Sequence, residues 1–346
     1  MMKALVVNTK SELLLKEIPI PTITAKQALV KTLACGICGT DATIIKGGFK
    51  SFKSSAYPIM LGHEAIGRVE KVGTEVVSYK EGDIVILPFA PTVQTEDGTT
   101  FTSGWGAFSE YGVIDDRKAY SDNEFPETAY AQQVLPSDCL IEEAPILITL
   151  REVYSTIKYF QIKEGATVLV YGSGPVALAF IKLMQLSGIK SVAVVVRNSA
   201  KEELMRKFGV PIVINTKNGT VQEQVSKIYP NGVEYVLDAV GNERILNEAL
   251  TLLKDRGELL CYGVPKGNQL RLDYENAPDN WKINFQQMPY KKEEGDCHEK
   301  ILQWVKEGKL VLRDFLSDVY SFENIIQAFE DYLSGKTERK VVIVYE

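Results

Sequence analysis

A chain of 346 residues, 45% of them hydrophobic and 9% aromatic, has enough apolar material for substantial cores and a length that suits two domains. Its 39 basic and 45 acidic residues leave a net charge of −6 with no long basic run, which argues against nucleic acid or an anionic membrane surface as partner. The five cysteines, an odd number scattered over a long chain, suit free thiols or metal ligands better than a disulfide framework.

In chain order, MMKALVVNTKSELLLKEIPIP alternates apolar and polar residues before meeting prolines, so it reads as strand and turn rather than a signal peptide, and a cytoplasmic protein is expected. No apolar run approaches the roughly 20 residues that cross a bilayer. Short strands broken by Gly, Pro and polar turns continue to about residue 135 (ALVKTLA, AIGRVEKVG, GDIVILPF, FSEYGVI), the pattern of an antiparallel β domain. Residues 92–106, TVQTEDGTTFTSGWG, read as a polar loop, the least core-like part of that domain. From about residue 150, buried runs (TVLVYG, SVAVVV, YVLDAVG, ELLCYGV) alternate with helical stretches (PVALAFIKLMQLSG, NERILNEALTLLKD). That alternation predicts an α/β fold with a doubly wound, Rossmann-type parallel sheet covered on both faces. Two more helical segments and a last strand, KVVIVY, follow residue 290. The expected division is 1–150 with 287–346 for the mainly β domain and 151–286 for the dinucleotide-binding domain.

Within VLVYGSGPVALAF, Gly172, Gly174 and Ala177 lie between a strand and a helix opened by Pro175 and Val176. Small residues at that spacing make a tight turn, let the backbone approach a pyrophosphate and let helix pack on strand, with the phosphates at the helix N-terminus. A binder of NAD usually ends its second strand in Asp or Glu to bond the ribose hydroxyls. Here Val196 stands at that end, followed by Arg197, Asn198 and Lys201, so nothing repels a 2′-phosphate and a guanidinium is at hand to grip it. The residues predict a preference for NADP over NAD. Asp238 and Gly241, in LDAVGN at a strand's C-terminal end, are expected to shape the nucleotide crevice by backbone.

His63, one of two histidines, sits with Glu64 in LGHEAIG, and Cys38 lies upstream in LACGICGTD. These two segments, in this order before the nucleotide turn and the closing SGKTERKVVIV, resemble the zinc-containing medium-chain dehydrogenases: alcohol, sorbitol and glucose dehydrogenases. The resemblance runs nearly end to end and implies a GroES-like catalytic domain. Carried over residue by residue, it implies that Cys38 and His63 ligate a catalytic zinc, that Glu64 is a nearby or exchangeable ligand, and that the Thr40 hydroxyl takes the substrate proton. Thiolate, imidazole and carboxylate suit Zn²⁺.

Three departures follow from the same resemblance. Where relatives carry a third ligand, this chain has Ile148; Glu64 with water is the favoured substitute, with Glu152 swinging in or loss of the metal as alternatives. The four cysteines of a structural zinc lobe are missing between Pro88 and Tyr111, so one zinc is expected, with the 92–106 loop held by packing around Phe101 and Trp105. Thr43 replaces a histidine relay. Arg339 matches a pyrophosphate contact, Cys35 reads as a buried filler, and His298 is expected to face solvent without a role. The expected activity is an NADP-preferring, zinc-dependent alcohol or polyol dehydrogenase acting on a polyol, sugar or cyclitol, with a simple primary or secondary alcohol second. The rivals are a zinc-free quinone or enone reductase and a non-catalytic dinucleotide-binding relative. A homodimer or homotetramer is expected, with ELLCYGVPKG apolar enough to serve as the edge.

Overall fold

The computed structural model describes residues 1–121, 124–265 and 269–346. The stretch 258–267, expected to serve as an assembly edge, is corrected: its strand Leu253–Cys261 pairs on one side with Val233–Asp238 and on the other with Trp281–Phe285, so it has no free edge, while Lys266 and Gly267 lie outside the described residues. Contacts divide the chain into two compact units, Met1–Arg151 with Tyr290–Glu346, and Glu152–Pro289.

The first unit is built from β1 (Met2–Val7), β2 (Leu13–Ile18), β3 (Gln27–Gly36), α1 (Gly39–Ile45), β4 (Ile59–Met60), β5 (Ala65–Val72), β6 (Ile84–Ile86), β7 (Val93–Gln94), β8 (Thr100–Ser103) and β9 (Tyr111–Asp115). Helix α2 (Ile146–Phe160) starts in this unit and carries the chain out of it. The chain returns as α7 (Lys291–Gly295), α8 (His298–Lys306), β16 (Leu316–Ser321), α9 (Ile325–Leu333) and β17 (Lys340–Val344), with α3 to α6 and β10 to β15 lying between. One sheet has the order β2-β1-β4-β8-β7 and the other β16-β17-β3-β5-β6, with β9 also paired to β3. Both are mostly antiparallel, and Leu5, Ile37, Ile44, Leu61, Phe108, Phe329 and Val341 share one core cluster. The register matters for chemistry. Ile343 of β17 faces Cys35 of β3, and Cys35 faces Ala65 of β5, so Lys340, Cys38 and Glu64 start from neighbouring strand ends.

The second unit is a six-stranded, wholly parallel sheet in the order β12-β11-β10-β13-β14-β15. Its strands are β10 (Thr167–Tyr171), β11 (Ser191–Val196), β12 (Ile212–Asn215), β13 (Val233–Asp238), β14 (Leu253–Cys261) and β15 (Trp281–Phe285). Helices α3 (Pro175–Leu186), α4 (Ser199–Lys207), α5 (Val221–Ile228) and α6 (Glu243–Leu250) connect them. Val168, Leu169 and Val170 are consecutive and all fully buried, as a strand covered on both faces requires.

Two local expectations are corrected. Residues 92–106 are not a featureless loop. Strands β7 and β8 form a hairpin whose turn is tied by Thr95 and Thr99 donating to Asp97, and β8 pairs with β4 while Phe101 enters the core. The helical reading of NERILNEALTLLKD also runs too far. Helix α6 stops at Leu250, and Leu253 already pairs with Val233, because burying Leu252 and Leu253 in the sheet's core outweighs the helical spacing. No helix among the described residues is long and apolar enough to cross a membrane.

Candidate metal centre and nucleotide turn

Helix α1 begins immediately after Cys38. The Asp41 carboxylate, three residues on, accepts from the Cys38 backbone N–H at 3.0 Å, the reciprocal bond of a capping box. Its other oxygen accepts from the Gly62 N–H at 3.2 Å and lies 3.5 Å from His63 Nδ1. Asp41 is thereby fully buried between the two segments that resemble a zinc site.

His63 follows a left-handed turn at Gly62, where φ is +97° and an added Cβ would stand 2.5 Å from the Phe108 nitrogen, so only glycine delivers the imidazole here. The His63 side chain is 14% exposed. Its Nδ1 is buried without a hydrogen-bond partner among the described residues; at 3.5 Å Asp41 acts on it electrostatically. Burial alone lowers the imidazole's proton affinity, but Asp41 and Cys38 oppose it and hold the pKa well above the ordinary value. An anionic pocket of this kind suits a cation.

The ligand atoms of Cys38, His63 and Glu64 all lie within 4.8 Å of one another. Glu64 is 1% exposed and heavily engaged: Lys340 Nζ donates to both its oxygens, at 2.6 and 2.9 Å, and Thr149 Oγ1 donates at 2.9 Å. Burial works against the Lys340 ammonium, yet Glu64 and Cys38 keep its pKa above the usual lysine value. The donor set fits a zinc ion, with Nδ1 turned to Asp41 and Nε2 left for the metal, and with Glu64 as a carboxylate already shared with Lys340.

Thr40 Oγ1 lies 4.0 Å from the Cys38 sulfur, and the half-buried Tyr332 lies close to Gly39. Thr43 donates back to the Gly39 carbonyl at 3.0 Å, a bond within the helix. Cys35 is buried in the core, where burial raises its thiol pKa, and takes no part in the cluster. Ile148 is 3% exposed; its neighbour Thr149 is the residue on α2 that reaches Glu64.

Several expectations are corrected. Glu152 is engaged by the Tyr262 hydroxyl, and the donor cluster found among the described residues is Cys38, His63 and Glu64. His298 does not face solvent. It is 2% exposed, with Nε2 bonded to the Val134 carbonyl at 3.1 Å. For Arg339 the expectation stays open: Nη1 donates to the Asp314 carbonyl at 2.8 Å and Nε is buried without a partner among the described residues, while the neighbouring Lys340 enters the centre. Trp105 is not packing for the 92–106 segment alone, since its ring lies 5.3 Å from that of His63. Asp41, Thr149 and Lys340 were missed. Asp41 had a signal, the Cys-x-x-Asp spacing of a capping box; the other two had none.

In the second unit, β10 ends at Gly172, whose φ of +130° is left-handed, and α3 opens with Gly174 as N-cap and Pro175 at its first turn. Among the described residues, nothing beyond its own chain neighbours lies within 4 Å of where a Gly174 Cβ would be, so the backbone there is open to a ligand. Ala177 packs beneath Gly172, while Val176 follows Pro175 in the first turn. Arg197 and Asn198 are exposed just past β11; the Asn198 side chain caps α4 by accepting from the Lys201 N–H at 2.9 Å. Asp238 is buried, and its carboxylate accepts from the N–H groups of Val240, Gly241 and Asn242. It therefore shapes the turn after β13 and has little left for a ligand.

A wholly parallel doubly wound sheet with this turn, joined in one chain to a β unit bearing a thiol, imidazole and carboxylate cluster, defines the class of dinucleotide-dependent oxidoreductases. Residues 24–123 match the family "Alcohol dehydrogenase GroES-like domain" and residues 175–285 match "Zinc-binding dehydrogenase". The chain is similar to sorbitol dehydrogenase of Bacillus subtilis, 25% identical with 99% of this chain and 97% of the relative covered. It is similar to an alcohol dehydrogenase of Cupriavidus necator, 26% identical over 95% of this chain and 94% of that one. Among solved structures, 2R,3R-butanediol dehydrogenase from Bacillus subtilis shares the fold, with a TM-score of 0.81 at 19% identity and 99% of both chains covered. The chain belongs to the zinc-containing medium-chain dehydrogenase superfamily. It is an oxidoreductase of the alcohol dehydrogenase type.

Proposed function

We propose that this protein is a zinc-dependent dehydrogenase that transfers a hydride between NADP(H) and an alcohol or carbonyl. The observation that carries the reading is the convergence of Cys38, His63 and Glu64 donor atoms within 4.8 Å. When bound, zinc polarises the substrate oxygen and the nicotinamide exchanges the hydride. The chain's own residues do the rest. Cys38 and His63 hold the metal, and Asp41 fixes the imidazole with Nε2 outward. Thr40 holds the substrate's hydroxyl proton, which leaves toward solvent because Thr43 is tied to its own helix. Glu64, kept in place by Lys340 and Thr149, sits where Ile148 offers no donor.

On the nucleotide side, Gly172, Gly174, Pro175 and Val176 form the phosphate turn, and Arg197, Asn198 and Lys201 favour a 2′-phosphate. Arg339 is kept as the pyrophosphate contact, since Asp314 engages Nη1 and leaves its buried Nε without a partner among the described residues. The donor cluster weighs against a zinc-free quinone or enone reductase. Similarity to sorbitol dehydrogenase supports a polyol or sugar substrate, and similarity to an alcohol dehydrogenase supports a simpler alcohol. A cytoplasmic homodimer or homotetramer completes the proposal.

Elemental analysis of the purified protein, together with NADP and NAD titrations, tests it. One zinc per chain and tighter binding of NADP are expected. Cys38→Ser is expected to lose the metal and to lower turnover by at least about a hundredfold. Retention of both zinc and turnover by Cys38→Ser would show the mechanism to be wrong.

A further inference from the structure

We infer that Phe49, Phe52 and Trp105 form a substrate wall beside His63, and that the alcohol accepted carries a flat, apolar substituent rather than a chain of hydroxyls. This rests on the dehydrogenase function proposed for the same centre. The Trp105 and His63 ring centroids are 5.3 Å apart, Phe49 and Phe52 lie 6.0 and 6.3 Å from Trp105 at steep angles, and the two phenyl rings are 5.7 Å apart. Phe49 is buried and anchors the group, whereas Phe52 and Trp105 keep part of their surface open.

The backbone also points to a demand on this ring. Trp105 has a φ of +66°, a conformation costly for a bulky residue, although glycines stand on both sides of it. Its carbonyl accepts from the Ala90 N–H at 3.1 Å, which holds the turn that sets the indole against the imidazole. In this trio the only polar side-chain group is the indole N–H. A polyol laid against it would bury hydroxyls without partners, while an aryl group would add edge and face contacts to rings already arranged that way.

The test compares benzyl alcohol, ethanol and sorbitol as substrates of the zinc-loaded enzyme, with NADP and with NAD. Benzyl alcohol is expected to exceed sorbitol in kcat/KM by about a hundredfold or more. Trp105→Ala is expected to cut that preference about tenfold, mainly through the KM for benzyl alcohol. Trp105→Phe, which keeps a flat ring, should retain most of it, and Phe52→Ala should reduce it independently. Sorbitol ahead of benzyl alcohol, or a benzyl preference untouched by Trp105→Ala and Phe52→Ala, overturns the wall and leaves the dehydrogenase reading standing. Inertness toward all three alcohols overturns the dehydrogenase reading itself.

Discussion

A single ammonium decides whether Glu64 can stay where it is. Lys340 and Glu64 are both almost fully buried and paired at 2.6 Å, and a buried carboxylate stripped of its partner is expensive. Lys340→Met in the metal-free protein is expected to lose about 3–5 kcal/mol in urea unfolding. Adding Glu64→Gln removes the orphaned charge and should recover most of the loss. A loss under about 1 kcal/mol would mean the pair is not closed as described. The sequence displayed Glu64 beside His63, but not the Lys340 and Thr149 that hold it. Those partners are 276 and 85 residues away and carry no local mark of their role.

At the scale of elements, the segment between β4 and β5 delivers His63 through one left-handed residue. Gly62→Ala forces a Cβ against the Phe108 backbone, and the expected cost is more than about 2 kcal/mol of stability. Zinc content should fall with it, since a displaced turn carries the imidazole away. Unchanged stability and full zinc occupancy would contradict this account of the turn. Elements were read well where periodicity and punctuation agree. The runs of β10, β11 and β13, the glycine turn into α3, and the helical spacing of α8 and α9 all appear in the fold. They were read poorly where burial overrode local preference. Helical spacing continues through Leu253, which the sheet claims, and the polar turn of the β7–β8 hairpin hides Phe101.

For the whole molecule, acid stability is tied to His298. Burial first, and then the nearby Arg151 charge, push its pKa down to about 4 from an ordinary value of 6.5. Above pH 6.5 the ring is neutral folded or unfolded, and the fold keeps its full margin. As pH falls from 6.5 toward 4, the unfolded chain takes up a proton that the fold refuses. Stability then declines by up to about 3 kcal/mol. His298→Gln, which can still donate to the Val134 carbonyl, should make the urea midpoint less sensitive between pH 7 and pH 4.5. An equal decline in that variant would assign the acid sensitivity to other groups. Nothing local marks this burial, because His298 opens a short amphipathic helix and its spacing does not say which face packs inward.

By itself the sequence determined the α/β class, the nucleotide turn and the pairing of Cys38 with His63 as candidates for one site. Each is a pattern within a short stretch, set by side-chain period, glycine conformation and ligand chemistry. The tertiary structure decided which distant groups meet: Asp41 behind His63, Lys340 and Thr149 on Glu64, Trp105 against the imidazole, and Tyr262 on Glu152. Those meetings follow from the pairing of β17 with β3 and β3 with β5, and register across strands far apart in sequence leaves no periodic trace in the chain.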